Sequence, residues 1–140
     1  MLVGGLQAQD KIEITPLSIN TENREYAPAY FKDGLVYCGD NLNNEGLTYV
    51  EDESGKQLTD LFFVNLGDSA QRVSLFSKEL KTSFHDGPIC FSADGNTAYF
   101  TRSQIIKREL KNKTERYNKF GIYTAEFNGE EWVNVTPCLF

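Results

Sequence analysis

The sequence predicts an all-β, antiparallel architecture made of two successive four-stranded sheets. Three observations point there. A segment of about sixty residues occurs twice, Asp-Gly and Asn-Gly pairs sit between short apolar runs, and no long window carries a helical apolar period. The 140 residues fit one compact unit, and an aromatic share of 13% supplies enough bulk for a core. Net charge is −6. That acidic balance argues against a nucleic-acid partner, which needs clustered Lys and Arg for phosphate contacts.

The chain opens with Leu2-Val3-Gly4-Gly5-Leu6-Gln7-Ala8-Gln9, short, uncharged and mostly small or apolar. Residues 1–9 read as the end of a signal peptide without its basic beginning, or as a disordered N-terminus. Export is therefore expected, to the periplasm or the outer membrane. No stretch approaches the ~20 apolar residues of a helical membrane span.

Residues 10–20 follow as a leading outer strand, because Ile12-Glu13-Ile14-Thr15-Pro16 resembles Val133-Asn134-Val135-Thr136-Pro137 near the C-terminus. The first repeat occupies residues 21–80 and the second residues 81–140. Pro28 and Pro88 are 60 residues apart, and Asp33 and Asp94 are 61 apart. Downstream, Leu61-Phe62-Phe63-Val64 aligns with Ile122-Tyr123-Thr124-Ala125 at the same offset of 61. Each copy holds four runs of strand length, rich in β-branched or aromatic residues.

Asp33-Gly34, Asp94-Gly95 and Asn128-Gly129 lie between paired runs. Type I′ hairpin turns need positive φ at both central residues, which Gly, Asn and Asp tolerate best. Residues 103–116 are mostly charged and read as a solvated insertion or one exposed helical turn. The third run of the first copy is continuously apolar, as expected of a strand covered on both faces. Four antiparallel strands per repeat, stacked side by side, is the blade plan of a β-propeller. Two blades do not close such a ring, so further blades from the same or another chain are expected to complete it.

Pro88-Ile89-Cys90-Phe91-Ser92-Ala93-Asp94-Gly95-Asn96-Thr97-Ala98-Tyr99-Phe100-Thr101 resembles the TolB-type, WD40-like propeller repeat. It is most like the propeller region of OmpA-family envelope proteins. In the first copy Lys32 replaces the Ser-x pair, and Cys38 stands where Phe is usual. The resemblance covers roughly residues 20 to 140 and implies a fold more than an activity. It implies turn roles for Asp94 and Gly95 and packing roles for Phe91, Tyr99 and Phe100, while Asp33 and Gly34 are expected as turn residues from their Asp-Gly pair alone.

No enzyme is expected. His85, Asp86 and Cys90 are the nearest approach to a nucleophile pair, but Cys90 is expected to be a buried structural thiol and His85 a loop residue. A Ser-His-Asp triad would have to use the same His85, and there is no Gly-x-Ser-x-Gly elbow. Cys38, Cys90 and Cys138 lack zinc-ligand spacing and are expected to be reduced. Residues 40–46 and 51–55 are rich in carboxylates and amides, yet Leu42 interrupts the alternation of a calcium loop, so a solvated loop is expected. No metal or cofactor is expected. Asp68-Ser69-Ala70 fits a short bacterial O-glycosylation pattern, a weak signal at three residues.

The equivalent loop of the second copy is basic, and Lys107, Arg108, Lys111, Lys113 and Arg116 are its candidate partner contacts. The functional expectation is a non-catalytic propeller scaffold that binds protein partners in the cell envelope. The alternatives are the accessory propeller of a hydrolase such as a peptidase, or a glycan- or peptide-binding propeller with Trp132 and exposed Tyr residues as stacking platforms.

Overall fold

A computed structural model describes residues 12–40, 58–110 and 113–139. These form two four-stranded antiparallel sheets, and no helix occurs among the described residues. The first sheet contains β1 (Glu25–Phe31), β2 (Gly34–Gly39), β3 (Asp60–Asn65) and β4 (Val73–Leu75). The second contains β5 (Asp86–Phe91), β6 (Thr97–Leu110), β7 (Lys113–Phe127) and β8 (Trp132–Pro137). Both run as simple meanders, each strand paired with its neighbours in sequence. Neither closes into a barrel or ring among the described residues.

The repeat is visible in the ladders. In β1 the register shifts between Tyr26 and Ala29, and in β5 between Asp86 and Ile89, so each meander has a bulge at its Pro. Ala27 and Gly87, the residues before those prolines, both take positive φ. Past the bulge Ala29 pairs with Val36 and Val36 with Phe63, whereas Ile89 pairs with Phe100 and Phe100 with Tyr123. Val36 is therefore the counterpart of Phe100, and Leu35 of Tyr99. Taken as landmarks, the Asp-Gly pairs set Tyr37-Cys38 against Tyr99-Phe100, two residues out of step with the ladders.

The cause lies in the turns. Phe31 pairs directly with Gly34, leaving only Lys32-Asp33 as the loop, whereas six residues separate the paired Phe91 and Ala98. Lys32 alone of the first pair has positive φ, so the turn is not type I′. Gly34 is a strand residue, not a turn residue. A Cβ there would lie 2.2 Å from the Val64 carbonyl oxygen and 2.6 Å from the Phe63 ring, and only Gly permits that approach of β2 to β3.

One core lies between the sheets. It is lined by Val36, Cys38 and Leu61 from the first and by Ile89, Ala98, Phe100, Ala125 and Trp132 from the second. Phe31, Phe76, Phe91, Phe127 and Trp132 form an aromatic cluster at the turn end, with centroids 4.6 to 6.2 Å apart. Gly87 closes the other end. A Cβ on it would meet Cys38 Sγ at 2.5 Å and Leu61 Cδ2 at 2.7 Å, so β5 can cross the first sheet only without a side chain here. The meeting faces are the like faces of the two repeats, Val36 with Phe63 on one side and Phe100 with Tyr123 on the other.

The opposite faces differ. On the first sheet Tyr37, Phe62 and Val64 are buried, with Ile19, Leu35, Val73 and Leu75 packed on them. The counterparts on the second sheet lie open, with Tyr99 43% and Ile122 42% exposed. Tyr99, expected as a packing residue, therefore stands on an uncovered face.

Residues 12–20, expected as a leading outer strand, carry no ladder. They run as coil into a turn closed by the Asn20 amide on the Leu17 carbonyl at 3.1 Å. A strand exists only through its neighbour, and Pro16 removes one of the donors a ladder needs. The segment is instead tied down by Ile19 on the first sheet and by Ser18, whose hydroxyl donates to Gln71 Oε1.

Candidate interaction surface

Residues 103–110 and 113–116, expected as part of a solvated insertion or helical turn, belong to the two longest strands among the described residues. β6 has 14 residues and β7 has 15, and their ladder runs unbroken from Thr97↔Glu126 to Leu110↔Lys113. No Gly or Pro occurs from residue 97 to 120, so nothing interrupts the pairing once it starts.

The β5 side accompanies β6 as far as Ser103, whose amide donates to the His85 carbonyl at 3.0 Å, and the β8 side accompanies β7 as far as Ile122, whose carbonyl accepts from the Cys138 amide at 2.8 Å. From Gln104↔Lys119 outward the two strands, among the described residues, pair only with each other. Seven residues of extended chain make this ribbon about 23 Å long. Asn118, Lys119 and Phe120 on it are exposed, Phe120 to 67%.

Of the candidate contact residues, the register sets Lys107 opposite Arg116, Arg108 opposite Glu115 and Lys113 opposite Leu110. Lys111 lies outside the described residues. Residues 104–120 hold six of the chain's 14 Lys and Arg but two of its 20 Asp and Glu, so this segment carries +4 and the remainder −10.

At its base the ribbon is anchored by a buried ion pair that sequence reasoning missed. Arg102 Nε donates to Asp86 Oδ1 at 2.6 Å, and its Nη2 donates to the Leu80 carbonyl at 2.5 Å. Asp86 Oδ2 accepts from the amide and hydroxyl of Thr82, each at 2.7 Å. Asp86 is 1% exposed, and the guanidinium lies 5.1 Å from the Phe100 ring centroid. The available signal was Arg102 two residues after Phe100, a charge on an apolar face.

Nearby, Lys81 Nζ sits 3.0 Å from Asp60 Oδ2, while Asp60 Oδ1 has no hydrogen-bond partner. Burial holds the Asp60 carboxyl above its ordinary value against the pull of Lys81, and the charge of Asp86 adds to the rise.

His85 and Cys90 do not form a nucleophile pair. The Thr59 amide donates to His85 Nδ1 at 3.1 Å, and Cys90 lies five residues further along, roughly 15 Å of extended chain. Cys90, expected to be buried, is exposed on the open face, because Ile89 and Phe91 take the two inward positions. Cys38 is the buried thiol. Its pKa is pushed up to about 12, mainly by burial, with the Asp86 charge adding and a hydrogen bond from Tyr26 opposing. Trp132, considered above as a stacking platform, is 3% exposed and part of the core.

The expected turn residues Asp94 and Gly95 do lie in the β5–β6 loop. Ser92 Oγ donates to Asp94 Oδ1 at 2.6 Å, and the Asn96 amide donates to the same oxygen at 3.1 Å. These bonds, that of Ser92 first, hold the Asp94 carboxyl below its usual range. Between this loop and Lys32 is a cleft of about 320 Å³ with Tyr30, Phe91 and Phe127 on its walls. The Lys32 ammonium lies across the Phe127 ring, 4.2 Å from its centroid, so both charged groups of the cleft are already engaged.

The calcium-loop candidate falls on residues 40–55, of which only Asp40 is described. Burial raises its carboxyl, but Arg24 outweighs that through its side chain at 2.8 Å and its amide at 2.7 Å, leaving the pKa lowered. Among the described residues no three His, Cys, Asp or Glu side chains are grouped to hold a metal. Ser69 is exposed in a turn, beside Asp68, whose Oδ1 accepts from the Ala70 amide at 2.9 Å. No protein-family profile, curated protein or solved structure matches the chain.

Proposed function

We propose that the chain is a non-catalytic scaffold that binds protein partners in the cell envelope, in the periplasm or at the outer membrane. The observation that carries this reading is the β6–β7 ribbon. It runs past the ends of β5 and β8 from Gln104↔Lys119 outward, sets Lys107 opposite Arg116 in its register, and has Lys119 exposed and an exposed Phe120 at its base. A projecting two-stranded ribbon is costly to keep unless something lies against it. Its open edges also offer backbone groups for strand addition.

The two meanders act in this reading as successive blades of a TolB-like propeller completed by further sheets. The strand count and order of each meander support that assignment. The like-face contact between them is what it must accommodate, because blades in a ring meet front to back.

The test is a photo-crosslinking residue in place of Phe120, in the native host fractionated after irradiation. Discrete protein adducts in the envelope fraction are expected, with fewer from the same probe at Ser69. Adducts spread without discrimination between the two positions, or a protein confined to the cytosol, would overturn the reading.

A further inference from the structure

The first turns of the two meanders differ in length, and a cleft lies between them. Phe31 against Phe91 sets the β1–β2 turn beside the β5–β6 loop. The space between that loop and Lys32 is about 320 Å³, at the lower end of small-ligand sites, which run to roughly 1,000 Å³. The loop is fixed by its own bonds. The Ser92 amide donates to the Thr97 carbonyl, the Thr97 amide to Ser92 Oγ and the Gly95 amide to the Ser92 carbonyl, each at 2.9 Å.

Internal partners hold Asp94 and Lys32 without exhausting them. Asp94 Oδ1 takes two hydrogen bonds, but among the described residues Oδ2 accepts only from Asn96 Nδ2, at 3.3 Å. A carboxylate has about four lone-pair sites, so Asp94 keeps room for a further donor. Lys32 lies over Phe31 and Phe127, 5.2 and 4.2 Å from their centroids. A ring face attracts the charge but offers no lone pair, so the ammonium keeps N–H groups for an acceptor. Tyr30 also lines the cleft and is 79% exposed, so most of its ring is open to solvent.

We propose that this cleft is a saccharide-binding site, with Tyr30 as the stacking platform for one pyranose ring and Asp94 and Lys32 as acceptor and donor for its hydroxyls. The site is at the other end of β6 from the ribbon and goes beyond the protein-binding reading. A pyranose has an apolar C–H face and a rim of hydroxyls that both donate and accept, the combination these three residues offer. The opposite charges of Asp94 and Lys32 give the cleft no preference for an ion of either sign. A ligand carboxylate would contend with two rings for the Lys32 ammonium, whereas a hydroxyl takes one N–H and leaves the charge over Phe127. The bonds within the loop hold Asp94 in place beforehand, so little ordering opposes binding. An open cleft with few contacts binds weakly, with a Kd of about 1 mM.

NMR titration of the intact chain with D-glucose, D-galactose, D-mannose and N-acetyl-D-glucosamine tests it, with glycine and L-phenylalanine as zwitterionic comparisons. At least one sugar is expected to bind saturably and to shift the amides of residues 92–96. Y30A should weaken that binding about tenfold and Y30F should keep it, since the ring carries the contact. Tyr30 is too exposed for either change to disturb the core, which the melting temperatures check. K32M, which keeps an unbranched chain over the rings but loses the N–H groups, should also weaken it. Failure of all four sugars to bind overturns the proposal, as does wild-type affinity in Y30A. Binding of the amino acids in place of the sugars overturns it too. The Phe120 probe, on the ribbon, is read independently of these outcomes.

Discussion

Phe31 and Phe91 occupy the same place in the two meanders, and their rings touch, with centroids 4.6 Å apart at an interplanar angle of 34°. Each ends the first strand of its sheet, and each leads into the connection to the second strand. A residue in contact with its own counterpart is a consequence of like faces meeting. The same relation sets Val36 and Phe100 in one core.

That contact predicts coupling. Phe31→Ala and Phe91→Ala each remove a ring from the cluster and should cost about 3 to 4 kcal/mol. The double variant should cost less than the sum by about 1 kcal/mol, the share of the direct ring contact. Denaturant unfolding of the four members of the cycle measures this. Strict additivity would mean that the two rings act through the rest of the cluster and not on each other.

The two glycines of the Asp-Gly pairs should respond in different ways to alanine. At Gly34 the new methyl meets the Val64 carbonyl at 2.2 Å, so β2 and β3 must part, at a cost of about 3 kcal/mol. At Gly95 nothing lies within 4 Å, and only the φ of +72° is strained for an L side chain, about 1 kcal/mol. The sequence shows two equivalent Asp-Gly pairs, and the melting temperatures of G34A and G95A should show that they are not equivalent.

This difference marks how far the fold was legible. Strand number, order and the location of the hairpins follow from apolar runs and turn residues, which are local properties. Register does not, because it depends on how many residues a loop spends. Two residues at Lys32-Asp33 against six between Phe91 and Ala98 moved every downstream match, so Cys38 was aligned with Phe100 when its counterpart is Arg102. The ribbon was missed for a related reason. Apolar alternation is the signal that marks a strand with one buried face, and this segment, which runs past the ends of β5 and β8, carries none. The cations that form the candidate surface were visible in the sequence, but their projection from the body depends on where β5 and β8 stop.

The Arg102–Asp86 pair should behave as a buried ion pair whose members depend on each other. Arg102→Met leaves the Asp86 carboxylate buried with only its Thr82 bonds, an expected loss of about 3 to 5 kcal/mol. D86V/R102M, which removes both charges, should recover most of that loss. A double variant as damaged as the single one would show that the hydrogen bonds to Thr82 and Leu80, and not the charge pairing, dominate the site.

Alkali should destabilise the fold before it ionises its buried groups. Burial raises the Cys38 thiol from 9.0 and the Tyr37 phenol from 10.0, each up to about 12, with Glu25 adding to the rise of Tyr37. Between the ordinary and folded values the unfolded chain loses protons that the folded chain keeps. Stability is therefore full below about pH 9 and falls as pH rises toward 12, by at most about 1.4 kcal/mol per pH unit for each group. In C38A the decline should begin about one unit later, where Tyr37 first ionises in the unfolded chain. Thiol labelling of the native protein supplies a second reading. Cys90 should react fastest, Cys138 more slowly, and Cys38 only at the rate of unfolding. A Cys38 that labels as fast as Cys90 would mean that β5 does not stay seated on the first sheet at Gly87, since it is Gly87 that lies against the Cys38 sulfur.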